Sequence, residues 1–203
     1  MKEEFLAALH FRHACKLFDV SRKIAKDDLD YILEAGRLSP SSMGLEHWRF
    51  LVVQTPALKE ALQHACMDQP QVGSSSEVVV MLAKKSELQA GSDYVTRLFK
   101  RVPLSPQEYE DMLAFYQDFA SKTDLVAWSV AQCHIAAANM MTAAAVLGID
   151  SCPIGAFEPD SVRQVLDIDS DRYEIALLLP LGYRKQAQPP KHRLPLEELT
   201  TFL

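Results

Sequence analysis

The sequence predicts an α+β fold, and three observations carry that prediction. From Asp124 to Leu147 runs a long helical stretch with alanines at 136–138 and 143–145, closed by Gly148. From Val78 to Ala83 runs an unbroken apolar stretch of strand length, of the kind buried on both faces. Helical and strand-like segments alternate around these two, without repeat, low-complexity stretch or linker. A chain of 203 residues organised in this way reads as one domain, residues 1–203.

Taken in order, Lys2 to His10 reads as a first amphipathic helix. A second covers about Asp27 to Leu38, with Leu29, Ile32, Leu33 and Ala35 on one side. Ser39-Pro40 ends it, because proline pushes the residue before it out of the helical region. Arg49 to Gln54 reads as a strand, and Thr55-Pro56 opens a short helix as N-cap and first residue. The Val78–Ala83 strand follows. Ser105-Pro106-Gln107-Glu108 has the form of a capping box, starting a helix toward Ser121. Then comes the long helix from Asp124, whose small residues let another helix approach closely. A helix this apolar needs cover on most faces, either from a second subunit or from the core of a monomer. A short strand near Ile149–Cys152, a helix from Pro159 to about Leu166 and a strand from Tyr173 to Leu181 complete the pattern. The proline-rich tail after Gly182 is too extended to build a core of its own and must drape over something.

Bulk properties exclude several classes of function. With 21 basic against 27 acidic residues the net charge is −6, which argues against non-specific nucleic-acid binding. No run approaches the roughly 18 apolar residues of a membrane span. Met1-Lys2-Glu3-Glu4-Phe5 has no apolar signal region, and four cysteines without regular spacing suit a reducing compartment, so a cytoplasmic protein is expected. No metal is expected, because neither CxxC nor HExxH occurs. The seven glycines form neither a dinucleotide fingerprint nor a P-loop, so a phosphate here would be held by side chains.

In an acidic chain, two basic clusters stand out: Arg12-His13-Ala14-Cys15-Lys16-Leu17-Phe18 near the start and Lys191-His192-Arg193 near the end. Either they are solvated surface or they meet an anion; arginine offers a planar fork for phosphate oxygens and lysine a mobile point charge. Between them lie Pro40-Ser41-Ser42 followed by Trp48, and Pro153-Ile154-Gly155-Ala156-Phe157. These four segments, in this order, resemble the FMN-dependent nitroreductase family from Arg12 to Pro195.

The resemblance implies a nitroreductase-like fold. Its central sheet is mixed or antiparallel and flanked by helices; the long helix lies at a homodimer interface and the tail extends over the partner. It places Arg12, Lys191 and Arg193 on the FMN phosphate, with His13 and Ala14 beside them; Ala14 stands where the family has serine. Lys16 falls where a cation reaches the ribityl chain and the N1/O2 edge of the flavin. Pro40, Ser41, Ser42 and Gly44 would line the flavin from the other subunit. Pro153, Ile154, Gly155 and Ala156 would pack on one ring face, with the Gly155 N–H aimed at N5. Gln71 would either bond the ring edge or ribityl or be a plain turn residue; Asp68 is the weaker candidate, and Gln69 would also belong to the cofactor site. Glu46 replaces a common amide at the substrate pocket, where Phe115 or Phe119 would act as a lid; helical aromatics are otherwise core. No catalytic acid or base is implied, since flavin N5 carries the chemistry. The implied activity is hydride transfer from NADH or NADPH through FMN to a nitroaromatic, quinone or flavin-like small-molecule acceptor, in a ping-pong cycle. A flavin-binding storage or sensor protein without turnover is the alternative.

Overall fold

The computed structural model describes residues 2–203. Four strands form one sheet: β1 (Trp48–Val53), β2 (Glu77–Lys84), β3 (Asp150–Ser151) and β4 (Tyr173–Gly182), in the order β1-β2-β4-β3. Every pairing between these strands is antiparallel. The expectation of a mixed or antiparallel sheet thus resolves to the antiparallel form, with one parallel bridge, Ala14 to Ser151, tying the first basic cluster to β3.

The strands explain the layers. Alternate residues of a strand face opposite sides. In β2, Val79, Met81 and Ala83 face one side with Leu29, Ile32, Ala136, Ala137, Met140 and Ala144. These come from α2 (Lys26–Arg37) and α7 (Leu125–Val146). Val78, Val80 and Leu82 face the other side, with Leu62 of α3 (Pro56–Ala65) and Val162 of α8 (Pro159–Leu166). β2 is buried along nearly its whole length, as its apolar run predicts. A bulge between Met81 and Leu82 reverses the alternation in β4, so Ile175 packs on one side and Leu177 on the other.

Local chemistry sets the ends of the helices. At Ser105 both bonds of the capping box form, opening α6 (Pro106–Lys122). Asp124 caps α7 by accepting from the N–H groups of Val126 and Ala127, and Gly148 follows its end at φ 71°. Thr55 sits at the N-cap of α3 without a side-chain cap bond, so Pro56 is the working signal there. The small residues of α7 do admit a close neighbour: a Cβ on Gly36 of α2 would lie 2.8 Å from the Met140 sulfur.

Three short helices escape the sequence pattern. They are α4 (Pro70–Gly73), α5 (Asp93–Phe99) and α9 (Leu196–Leu199), each too short for an apolar period to register. α1 (Lys2–Phe11) packs one side on α7 and leaves Phe5, Leu6 and Leu9 exposed. The tail beyond β4 leaves Leu194, Leu196, Leu199 and Phe202 in solvent, without a core of its own. Among the described residues no helix is long and apolar enough to cross a membrane.

Candidate functional site

Chain geometry brings the two basic clusters together. Phe18 bridges Arg184 just beyond β4, and the Cys15 N–H donates to the Ser151 carbonyl at 3.2 Å, so residues 12–18 run along the β3–β4 end of the sheet. The tail returns over the same place. A cavity of about 350 Å³ is lined by Arg12, His13, Ala14, Pro153 and the tail residues 188–193. Lys191 donates to the Leu9 carbonyl at 2.7 Å and also to that of Arg12. Arg193 bonds the carbonyl of its own neighbour, His192, at 2.6 Å.

The electrostatics at this end are one-sided. Burial and the charges of Arg12 and Arg193 lower the Lys191 pKa. Two guanidinium groups that disfavour the charge on a neighbouring ammonium make a site suited to an anion. His13 is likewise lowered, first by burial and then by Arg184, against the pull of Asp150, and its Nδ1 lies 3.5 Å from that carboxylate. At this end His13 favours its neutral form, so the free positive charge belongs to the arginines and Lys191.

Next to this cavity a chain of polar contacts joins three predicted segments. The Lys16 ammonium lies 3.9 Å from the Cys152 sulfur. Gln71, 2 % exposed, donates to the Gln69 side-chain oxygen at 2.8 Å, and Gln69 donates to the Ala156 carbonyl at 2.9 Å. Lys16, Gln69, Gln71 and the Cys152–Ala156 loop therefore form one wall. Asp68 turns away, to His64 at 2.6 Å on the surface. Ile154 is buried and pairs with Leu178 through both backbone groups, whereas Pro153, Gly155 and Ala156 are exposed beside it. A Cβ on Gly155 would meet nothing within 4 Å, so its face is open to a flat ligand. Cys15 is raised to about 11 and Cys152 is also raised, in both cases by burial, which makes them buried hydrophobes rather than nucleophiles.

Residues 39–47 are placed elsewhere, against α7. Asn139 donates to the Ser39 hydroxyl at 2.8 Å, and the Ser42 N–H donates to Gln132 at 3.0 Å. The Ser41 hydroxyl accepts from the Glu46 N–H at 2.9 Å. Met43, Gly44 and Glu46 all have positive φ, of 55°, 64° and 43°. That shape is pinned from below. Lys84 donates to the Glu46 carbonyl at 2.6 Å and to the Tyr94 hydroxyl at 2.5 Å, and burial brings its pKa down to about 8. His47 is wholly buried, its Nε2 3.3 Å from the Ser42 carbonyl and its ring edge-on to Trp128, and burial brings it down to about 4. No hydrogen bond among the described residues links Pro40, Ser41, Ser42 or Gly44 to the wall around Lys16. Within one chain the two groups of predicted residues therefore stay unlinked by hydrogen bonds among the described residues.

The pocket residues do not meet either. Glu46 pairs with Arg101 at 2.6 Å, while Phe115 stands 61 % exposed on α6. Phe119 faces inward, its ring centroid 4.9 Å from that of Trp128, so of the two aromatics it is the one that serves the core. Trp48 is buried in the core. Sequence reading missed Asp150, Arg184, His47, Lys84 and Tyr94. None of them forms a motif with its sequence neighbours, and only tertiary contacts reveal its partner.

FMN, the group implied by the sequence resemblance, fits these residues. It carries a dianionic phosphate for the anion-poor cavity and a flat ring for the open loop at Gly155, with a cation, Lys16, on the adjoining wall.

Comparison with known proteins shows what the whole chain is similar to. The Nitroreductase family model matches residues 9–183. YfkO of Bacillus subtilis, which carries the provisional name NAD(P)H nitroreductase, is 37% identical over 218 residues, covering 100% of this chain and 99% of that protein. The crystal structure of ydfN from Bacillus subtilis superposes with a TM-score of 0.89 at 27% identity over the whole of both chains. A protein from Exiguobacterium sibiricum solved in complex with FMN gives a TM-score of 0.83 at 26% identity, covering 98% of this chain and 97% of that one.

Proposed function

The chain belongs to the nitroreductase family, and we propose that it is an FMN-dependent oxidoreductase working as a homodimer. NADH or NADPH serves as reductant and a nitroaromatic, quinone or flavin-like compound as acceptor. The observation that carries this reading is the convergence of Arg12, Lys191 and Arg193 on one cavity whose described lining includes no acid, beside the open Gly155 face.

FMN, when bound, supplies the hydride acceptor and donor; the protein supplies position and charge. Arg12, Lys191 and Arg193 hold the phosphate. Lys16 places a cation at the edge of the ring, where it favours the electron-rich form. Gln71 is a neutral amide, so among the described residues of this wall the charge comes from Lys16. The Gly155 N–H, which makes no hydrogen bond among the described residues, is free to donate to the ring. Pro40, Ser41, Ser42 and Gly44 come from the partner subunit. The exposed apolar strip on α1 and the groove of about 900 Å³ between α1 and the end of α7 support dimerisation, since their residues include Phe5, Phe11 and Val146. Both substrates use one pocket in turn, which gives ping-pong kinetics.

The test is spectroscopic. Protein loaded with FMN should bleach on anaerobic addition of NADH or NADPH and recover its colour on addition of a quinone or nitroaromatic. Flavin that binds but does not bleach with either nucleotide would turn the assignment to a storage or sensing protein. Failure to bind flavin would defeat it outright.

A further inference from the structure

Beneath the cation-lined cavity lies a carboxylate that the flavin reading does not use. Asp150 opens β3 and is 2 % exposed. Its Oδ2 accepts from the Arg184 backbone N–H at 2.9 Å and from Arg184 Nε at 3.0 Å, and Arg184 Nη2 lies 2.8 Å from Oδ1. The guanidinium is stacked on Phe11 at 4.2 Å from the ring centroid, so carboxylate, arginine and the end of α1 form one packed unit.

This unit reaches the phosphate site by a short path. Arg184 Nη1 donates to the Gln188 side-chain oxygen at 3.1 Å, and Gln188 Nε2 donates to the His10 carbonyl at 2.8 Å. His10 lies two residues before Arg12, and Gln188 three before Lys191. The tail is thus tied to the segment bearing Arg12 at the place where both carry their cations. Those cations repel one another, as the lowered Lys191 shows. Something must hold the tail against that repulsion, and an ion pair with a buried carboxylate, made through Arg184 N–H and Nε to Asp150 Oδ2, is suited to it. Its attraction is little screened, and removing one partner leaves the other charged and out of water.

We propose that Asp150 is a positioning residue for cofactor binding: through Arg184 and Gln188 it holds the C-terminal tail over the cavity. Affinity for the phosphate of FMN then depends on this carboxylate, and affinity for the isoalloxazine ring does not. The inference rests on the placement of the phosphate at Arg12, Lys191 and Arg193 and adds to it a residue that touches no ligand.

FMN and riboflavin, which lacks the phosphate, separate the two contributions. Titrated into Asp150→Asn, FMN should bind roughly 10- to 100-fold more weakly than to the unmodified protein, the loss expected for a charge-assisted contact. Riboflavin affinity should stay unchanged. Adding Arg184→Gln to Asp150→Asn should cost less than it does alone, because the two residues act as one unit. If Asp150→Asn does not fold, Gln188→Ala breaks the same path at a partly exposed side chain and should show a smaller loss with the same selectivity for FMN. Parallel weakening of FMN and riboflavin would reduce Asp150 to a structural residue and overturn the proposal, as would unchanged FMN binding. An unmodified protein that binds neither flavin would remove the flavin reading and this inference with it, which is a different result from either.

Discussion

The cavity between the two basic clusters and the turn at Ser39–His47 treat polar groups in opposite ways. Around the cavity, Arg12, Lys191 and Arg193 converge with no acid among the lining residues, and the Gly155 N–H beside them makes no hydrogen bond among the described residues. In the turn, polar groups are turned inward. Ser41 serves the Glu46 N–H, Ser42 bonds Gln132, His47 approaches the Ser42 carbonyl, and Lys84 closes on the Glu46 carbonyl. Unmet polar capacity marks where a ligand is to be held. Capacity spent internally marks where a shape is to be kept, here one with three positive φ values in four residues. On the proposed reading, the first region offers its charge to the ligand and the second offers a fixed shape to the flavin of the partner subunit.

This contrast can be broken at either end, and the largest effect is expected in the turn. His47 sits at about 4 in the folded protein against an ordinary 6.5. Between those values the unfolded chain takes up a proton that the folded one refuses. Its contribution to stability is therefore present above pH 6.5 and lost as the pH falls toward 4, by about 3 kcal/mol in all. Urea unfolding from pH 7 to 4 should show that loss, and His47→Gln should flatten it. A slope unchanged in the variant would assign the loss to other groups. The cavity responds to a different probe. Arg193→Ala should weaken FMN binding by roughly 10-fold or more, with the melting temperature of the flavin-free protein unmoved. Unchanged affinity would release Arg193 from the phosphate. The smallest effect sharpens the contrast: Ser41→Ala removes the acceptor for the Glu46 N–H and should cost about 1 kcal/mol of stability, measured by denaturant unfolding. A negligible cost would mean that the turn keeps its shape without it.

Much of the fold was legible because its signals are local. The capping box at Ser105, Asp124 before the long helix, Gly148 after it and the unbroken β2 run each act within a few residues, and all appear where the sequence placed them. The antiparallel sense of the sheet was not legible, because strand pairing joins residues a hundred positions apart, such as Val79 and Leu179. The candidate site divides the same way. Arg12 and Lys16, with Lys191 and Arg193, announce themselves as charge in an acidic chain. Asp150 and Arg184 do not: an acid beginning a two-residue strand and a base two residues beyond another strand become a pair only when β3 lies on β4. Lys84 and Tyr94 were hidden for the same reason, since neither has a sequence neighbour that explains its burial.

The most direct test of the account is a crystal structure of the protein with FMN. The account predicts a dimer in which each phosphate lies within hydrogen-bond reach of Arg12, Lys191 and Arg193 of one protomer, with Pro40, Ser41 and Ser42 of the other protomer against the same flavin. A phosphate bound away from those three cations, or a flavin lined by one protomer alone, would contradict it.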